Sequence, residues 1–238
     1  NYKVIVDSSV KFVRPYTACA VVKNLEFSDE KIREIIQIQE KLHVTFGRNR
    51  KKAAIGIYPM EKIKWPIKYL AKKPNEIKFQ PLESNKMMTA SQILNDYPAG
   101  RDYKYLLEGK ERYPLFIDSN NEILSMPPII NSHKIGKIDE NTKDVFIECS
   151  GFDLNTLKQT LNIIVTALDE MGGNIYSVEI NYGKKIITPD LKPVEMKLDI
   201  EYVNKLLGLK LSQNEIKKYL ERMGHSYKNK VLIPAYRV

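Results

Sequence analysis

The sequence predicts an α+β fold in two parts: a larger unit of strands with packed helices, then the start of a small unit of two helices and a β-hairpin. Three observations carry this reading. Residues 29–46 and 154–171 show helical apolar periodicity behind capping residues, and several short runs rich in Val, Ile, Tyr and Phe are bounded by turn residues. Beyond about residue 192 the long strands give way to two short capped helices.

Taken in order, YKVIV and TACAVV read as strands, with Arg14-Pro15 marking the turn or strand entry between them. Ser28 caps a helix whose Ile32, Ile35, Ile36, Gln39, Leu42 and Phe46 recur at spacings of three and four, with acids in its first turn. After Gly47 and the basic run RNRKK comes the buried-strand pattern AAIGIY. Residues 61–82 hold Pro66, Pro74 and Pro81, which predicts a long, irregular, basic connection with one short strand around Ile67 to Leu70. Thr89 and Gln92 form a capping box opening a short helix, and GRDYKYLLEG predicts a second one ended by Gly109. YPLFIDSNNEILSMPP reads as a hairpin turning at 118–121, because Asp, Ser and Asn tolerate the conformations of tight turns.

The strand VFIECS follows, then Asp153 caps the long helix closed by Gly172-Gly173, with Leu154, Leu157, Leu161, Ile164, Val165 and Leu168 on its apolar face. A hairpin turning at Tyr182-Gly183 leads into a proline-bounded linker, TPDLKPVEM. The boundary is expected near residue 192, giving units 1–191 and 192–238. The second holds a helix capped by Asp199 and stopped at Gly208, another with the box Ser212 to Glu215 stopped at Gly224, and the hairpin SYKNKVLIPAY. With no initial Met at Asn1 and an apparent mid-strand stop at Val238, the chain is expected to be a piece of something longer.

No segment approaches 18 uninterrupted apolar residues and the N-terminus lacks signal-peptide texture, so membrane and export roles are set aside. Cys19 and Cys149 lie apart in apolar strands without metal-ligand spacing, which predicts reduced core thiols in a cytoplasmic protein. The formal charge of +9 permits a polyanionic partner, although a solvated lysine-rich surface explains it equally. Catalytic signatures are absent: there is no phosphate loop, HExxH or GxSxG, and His43, His133 and His225 are scattered, so no metal site is expected.

The informative stretch is 144–150. Period-two alternation puts Val145, Ile147 and Cys149 on one face and Phe146, Glu148 and Ser150 on the other, both largely apolar. A carboxylate on such a central strand is costly to bury unless bound, so Glu148 is either half of a structural pair or the floor of a pocket. Ser125, just ahead of Pro127-Pro128, and Asn131 and Ser132 beyond it, supply small polar groups suited to a hydroxyl-bearing ligand and include no obvious activated nucleophile.

The passage LSMPPIINSHKIGKIDENTKDVFIECSGFDL resembles the signature stretch of the archaeal/eukaryotic phenylalanyl-tRNA synthetase β subunit, and VRPYTACAVVKNLEF, IQIQEKLH, AAIGIY and NIIVTALDE extend the likeness over nearly the whole chain. The resemblance implies a mixed-sheet editing domain at 1–191 and, at 192–238, the start of a domain with a DNA-binding-like fold. It implies hydrolysis of tyrosine wrongly attached to tRNA(Phe), with aminoacylation left to the α subunit. The implied partners are tRNA(Phe) and that α subunit in an α2β2 enzyme; ATP and magnesium serve the full synthetase, with no cofactor in this stretch. Motif by motif, it places Leu115, Ser125, Glu148 and Ser150 in the editing pocket, with Ser125, Ser150 and Asn131 near the ester. In the family, Thr often stands at the position of Ser150 and sometimes Asp at that of Glu148. For Arg48, Arg50, Lys51, Lys52, Lys72 and Lys73 two readings stand: solvated surface charge, which is the plainer, or a guide for the tRNA end. The competing expectation is a non-catalytic module that docks tRNA or the α subunit, which would gain if the polar floor were filled by neighbouring side chains or if Glu148 paired with an Arg.

Overall fold

The computed structural model describes residues 2–237, and the chain forms two compact units, Asn1–Pro189 and Asp190–Val238. The first unit contains β1 (Lys3–Val6), β2 (Tyr16–Lys23), α1 (Asp29–Val44), β3 (Ala53–Pro59), β4 (Ile67–Lys72), β5 (Lys78–Phe79), β6 (Met88–Thr89), α2 (Ala90–Asp96) and α3 (Pro98–Tyr103). It continues with β7 (Tyr113–Ile117), β8 (Ile123–Met126), β9 (Ile130–Asn131), β10 (Val145–Gly151), α4 (Leu154–Glu170), β11 (Asn174–Asn181) and β12 (Lys185–Thr188). Ten of these strands make one mixed sheet in the order β3-β10-β2-β11-β1-β4-β7-β8-β9, with β12 on β11. β1 runs parallel to both neighbours and the other pairs are antiparallel. The α+β expectation is met.

Two layers of core lie on this sheet. On one face, Ile55, Ile57, Val145, Ile147 and Cys149 pack with Leu157, Leu161, Ile164, Val165 and Leu168 of α4 and Ile35 of α1. Of the α1 apolar stripe only Ile35 is fully buried, and Ile36 stays exposed because the helix covers the sheet edge rather than its middle. On the other face a single cluster draws Tyr58 from β3, Phe146 from β10, Val178 from β11, Tyr69 from β4, Phe116 from β7 and Leu124 from β8. A sheet this wide can share one cluster only by curling, as twisted strands do. Its two ends, β3 and β8–β9, therefore face each other across a seam: the Tyr58 hydroxyl of β3 lies 2.8 Å from Ser125 Oγ of β8.

A third cluster, with Ile77, Ile93, Leu94, Leu115, Met126 and Ile129, is covered by α2, whose Thr89–Gln92 capping box forms as expected. α3 starts at Pro98 instead of Gly100, proline being pre-set for the first helical position, and a 3₁₀ turn carries the chain on to Gly109 at φ +71°. Residues 61–82 contain the strand expected around Ile67 to Leu70, as β4, but are more regular than their prolines suggest. β4 is an interior strand between β1 and β7, with Ile67, Tyr69 and Ala71 inward, and the alternation outweighs the flanking prolines. β5 and β6 pair as a two-stranded sheet that the sequence pattern did not mark.

In the second unit, β13 (Val194–Met196) precedes α5 (Ile200–Leu207), α6 (Gln213–Arg222), β14 (Ser226–Tyr227) and β15 (Val231–Ile233). Asp199 and Ser212 cap the helices, and Gly208 closes α5 in the left-handed region at φ +68°. The β14–β15 hairpin forms, and β13, read as linker, pairs with its free edge. Three polar-flanked residues show no strand signal until β15 offers backbone partners.

Candidate active site

At the seam, the exposed edge of β3 is closed by α1 instead of by another strand. The Ile55 amide donates to His43 Nε2 at 2.8 Å, and Gln39 Nε2 donates to the Ile55 carbonyl at 2.8 Å. Since His43 Nε2 accepts, its ring proton is on Nδ1, 3.1 Å from Glu40 Oε1. Burial holds the His43 pKa below its ordinary value, so the ring stays neutral. Side chains thus satisfy the edge without filling the space a strand would occupy. A cavity of about 440 Å³ remains, lined on one side by Ile36, Gln39 and Ile57 and on the other by Pro127, Pro128, Ile129 and Asn131, with Ser125 and Glu148 at its floor.

Glu148 is 2% exposed and stands on β10 directly across from Gly56 of β3. A Cβ on Gly56 would sit 2.1 Å from the Tyr58 hydroxyl oxygen and 2.7 Å from Glu148 Oε1, so only glycine leaves room for this pair. The Tyr58 hydroxyl is 3.1 Å from Glu148 Oε1, 2.8 Å from Ser125 Oγ and 3.4 Å from Asn131 Oδ1. A phenol has one proton; the arrangement that serves the carboxyl is Tyr58 giving to Oε1 while Ser125 gives to Tyr58. Glu148 Oε2 is buried with no hydrogen-bond partner. Burial pushes the Glu148 pKa up to about 8, against the pull of the Tyr58 hydroxyl, the Arg14 guanidinium and Ser150. At neutral pH the group is therefore chiefly a neutral acid, and with Oε1 taken by Tyr58 its proton belongs on Oε2.

The expected site residues separate into groups. Ser125, Asn131 and Glu148 converge on Tyr58. Ser150 is buried on the same face of β10, but it does not line the cavity: its Oγ accepts from Arg14 Nε at 3.1 Å and its carbonyl from Arg14 Nη2 at 2.5 Å. Leu115 is fully buried in the third cluster, alongside the cavity-lining Ile129, and does not reach the cavity itself. Among the basic residues, Arg50 is not a free surface charge. It donates to Ile129 O at 3.0 Å, pairs with Glu40 at 3.1 Å and lies 4.1 Å over the Tyr103 ring, clamping the Pro128–Ile129 wall to α1. Arg48, Lys51, Lys52 and Lys73 are exposed and Lys72 is half-buried on β4.

Sequence reasoning missed Tyr58, Arg14 and Gly56. The glycine inside AAIGIY was the available signal, since a strand glycine often marks a close approach. Arg14 was read only as a turn residue, yet it is 2% exposed, and burial lowers its pKa to about 10. Among the described residues, no ion pair joins Glu148 to an Arg, and no three His, Cys, Asp or Glu side chains cluster as a metal site would require. Both cysteines are buried and free, and no helix is long and apolar enough to cross a membrane.

The whole chain superposes with a TM-score of 0.95 and 42% identity on 70% of a crystal structure of an N-terminal fragment of the phenylalanyl-tRNA synthetase β-subunit from Pyrococcus horikoshii. The chain belongs to the phenylalanyl-tRNA synthetase β-subunit family. Its sequence is 42% identical to the phenylalanine–tRNA ligase β subunit of Thermococcus sibiricus over 243 aligned positions, covering 100% of this chain and 43% of that protein. The Thermococcus kodakarensis β subunit is 44% identical over 98% of this chain and 42% of its own length. The chain thus spans under half of the β subunits it matches. Residues 196–238 also match the tRNA synthetase B5 domain, so the β-subunit likeness runs through both units.

Proposed function

We propose that this chain carries the proofreading hydrolysis of a phenylalanyl-tRNA synthetase, releasing tyrosine wrongly esterified to tRNA(Phe). The observation that carries the reading is the buried Glu148 at the floor of the cavity, with Oε1 held by Tyr58 and Oε2 unpartnered. A synthetic pocket shaped for phenylalanine rejects an added hydroxyl by only about a hundredfold, so the larger amino acid must be selected positively elsewhere. A phenol entering this cavity would take the Oε2 proton of Glu148 as a hydrogen bond. Phenylalanine would leave that acid buried and unpaired, at a cost of about 1–3 kcal/mol.

The apolar walls, Ile57 and Ile129 among them, would sandwich the ring. Leu115 supports Ile129 from behind. Ser125 and Asn131 would hold the ester or the attacking water, and Ser150 would act through Arg14. Water adds to the ester carbonyl, the ribose oxygen leaves with a proton, and the products are tyrosine and free tRNA; positioning supplies the rate where no strong base is at hand. The same reading assigns residues 1–191 to editing and 192–238 to the following domain. It gives tRNA(Phe) and the α subunit as partners, a cytoplasmic setting, and ATP and magnesium as needs of the complete α2β2 enzyme.

A second reading, a module that docks tRNA or the α subunit without chemistry, draws on the same contacts: Tyr58 already occupies one Glu148 oxygen and Arg14 engages Ser150. Deacylation of Tyr-tRNA(Phe) and Phe-tRNA(Phe) by the chain and by Glu148→Ala separates the two. Editing predicts tyrosine release that falls about ten- to a hundredfold in the variant, with slow phenylalanine release unchanged. Release of neither ester by the chain and by the full β subunit, with tRNA binding retained, would establish the docking module.

A further inference from the structure

The loop between β1 and β2 carries a feature that the cavity does not use. Phe12 is 81% exposed, the most exposed large apolar side chain among the described residues, and Phe152, at the opposite end of the β10 register from Val145, is 49% exposed. Arg14 ties the two together. It follows Phe12 by two residues, its guanidinium lies 5.6 Å from the Phe152 ring centroid, and its Nη2 donates to the Arg50 carbonyl at 3.0 Å.

Cations surround this pair. Lys11 Nζ lies 5.5 Å from the Phe12 ring, and Lys110 donates to the Phe12 carbonyl at 3.2 Å. Lys51 and Lys52 stand exposed beside Gly151, whose absent side chain lets the Lys52 carbonyl approach. The same loop reaches β4, where the Ala71 amide next to Lys72 donates to Ser9 Oγ. The two basic stretches thus flank one loop with an aromatic ring at its tip. The nearest carboxylate in sequence, Asp153, is committed to the amide and hydroxyl of Thr156.

We propose that Phe12 and Phe152, flanked by Lys51, Lys52 and Lys110, form a stacking platform for the single-stranded end of a nucleic acid whose terminus enters the cavity. Unpaired bases present flat faces that stack on exposed rings irrespective of sequence, while lysines meet the phosphates; a duplex hides those faces. The path to the cavity is short. Arg50 touches the platform through its carbonyl and the cavity wall through its guanidinium, so a strand lying on the rings arrives at Pro128 and Ile129. The proposal deepens the editing reading by giving its substrate a route, but it concerns binding alone.

The test is fluorescence anisotropy of a labelled single-stranded RNA ending in CCA, titrated with the 238-residue chain at several KCl concentrations. Phe12→Ala and Phe152→Ala should each weaken binding about five- to a hundredfold. The double variant Lys51→Ala/Lys52→Ala should lower the salt slope by about 1.4. The fully paired duplex should compete poorly. Unchanged affinity in both Phe variants, or equal competition by duplex, overturns the platform. Because the assay reads no hydrolysis, an unmodified chain that releases tyrosine yet binds no single-stranded RNA sinks this proposal alone; platform binding with no tyrosine release by the chain or by the full β subunit sinks the editing reading alone.

Discussion

Replacing Glu148 by Gln should change how stability depends on pH, and the size follows from burial. The carboxyl has an ordinary pKa of 4.5 and is pushed up to about 8 in the fold, first by burial. Between those values the unfolded chain gives up its proton while the native state keeps it, so the unfolded state binds fewer protons and stability falls as pH rises. This group's contribution is full below about 4.5 and is lost by the time pH passes about 8, at up to about 1.4 kcal/mol per pH unit. Integrated from pH 5 to pH 9, the loss is about 4 kcal/mol. Glu148→Gln keeps the shape and removes the titration, so its stability relative to the unmodified chain should improve by about 4 kcal/mol over that range. Urea unfolding followed by Trp65 fluorescence reads this locally. Trp65 is the chain's one tryptophan and packs edge-on to Phe146, with centroids 5.3 Å apart, two residues from Glu148. A difference between the two proteins that stays flat from pH 5 to pH 9 would refute the neutral buried acid, and with it the hydrogen-bond direction proposed for the cavity.

Two further substitutions probe the floor. Tyr58→Phe removes the hydroxyl that serves Glu148 and Ser125 and raises the Glu148 pKa further, because that bond favours the charged form. Tyrosine release should drop by about five- to a hundredfold with phenylalanine release little changed, as measured by deacylation kinetics; equal loss of both would assign Tyr58 to general structure. Gly56→Ala forces a methyl to within 2.1 Å of the Tyr58 oxygen and should destabilise the fold by about 1–3 kcal/mol in urea titrations. A neutral result would mean that the β3–β10 pair relaxes more freely than its packing indicates.

How much of this was legible beforehand depended on the range of the interactions. The capped helices at 29–44 and 154–170 were readable because cap, periodicity and glycine stop all lie within a few residues of one another. Glu148 stood out because a carboxylate in an apolar alternating run violates a local rule, and Ser125 and Asn131 because they flank the Pro127-Pro128 pair. β13 and the interior place of β4 were hidden, since a strand's stability comes from partners that sequence spacing does not name.

By itself the sequence determined the element types of the long segments, a carboxylate that would need a reason to be buried, and a family likeness running the length of the chain. Tertiary structure alone decided what that carboxylate meets. The curl of the sheet carries β3 around to β8 and β9, so Tyr58 reaches Ser125, 67 positions away, and Glu148, 90 positions away. It also turns Arg14 inward onto Ser150 and Leu115 away from the cavity. The reason is physical: strand periodicity fixes which face a side chain takes, whereas the curvature that brings two faces together is a property of the whole sheet.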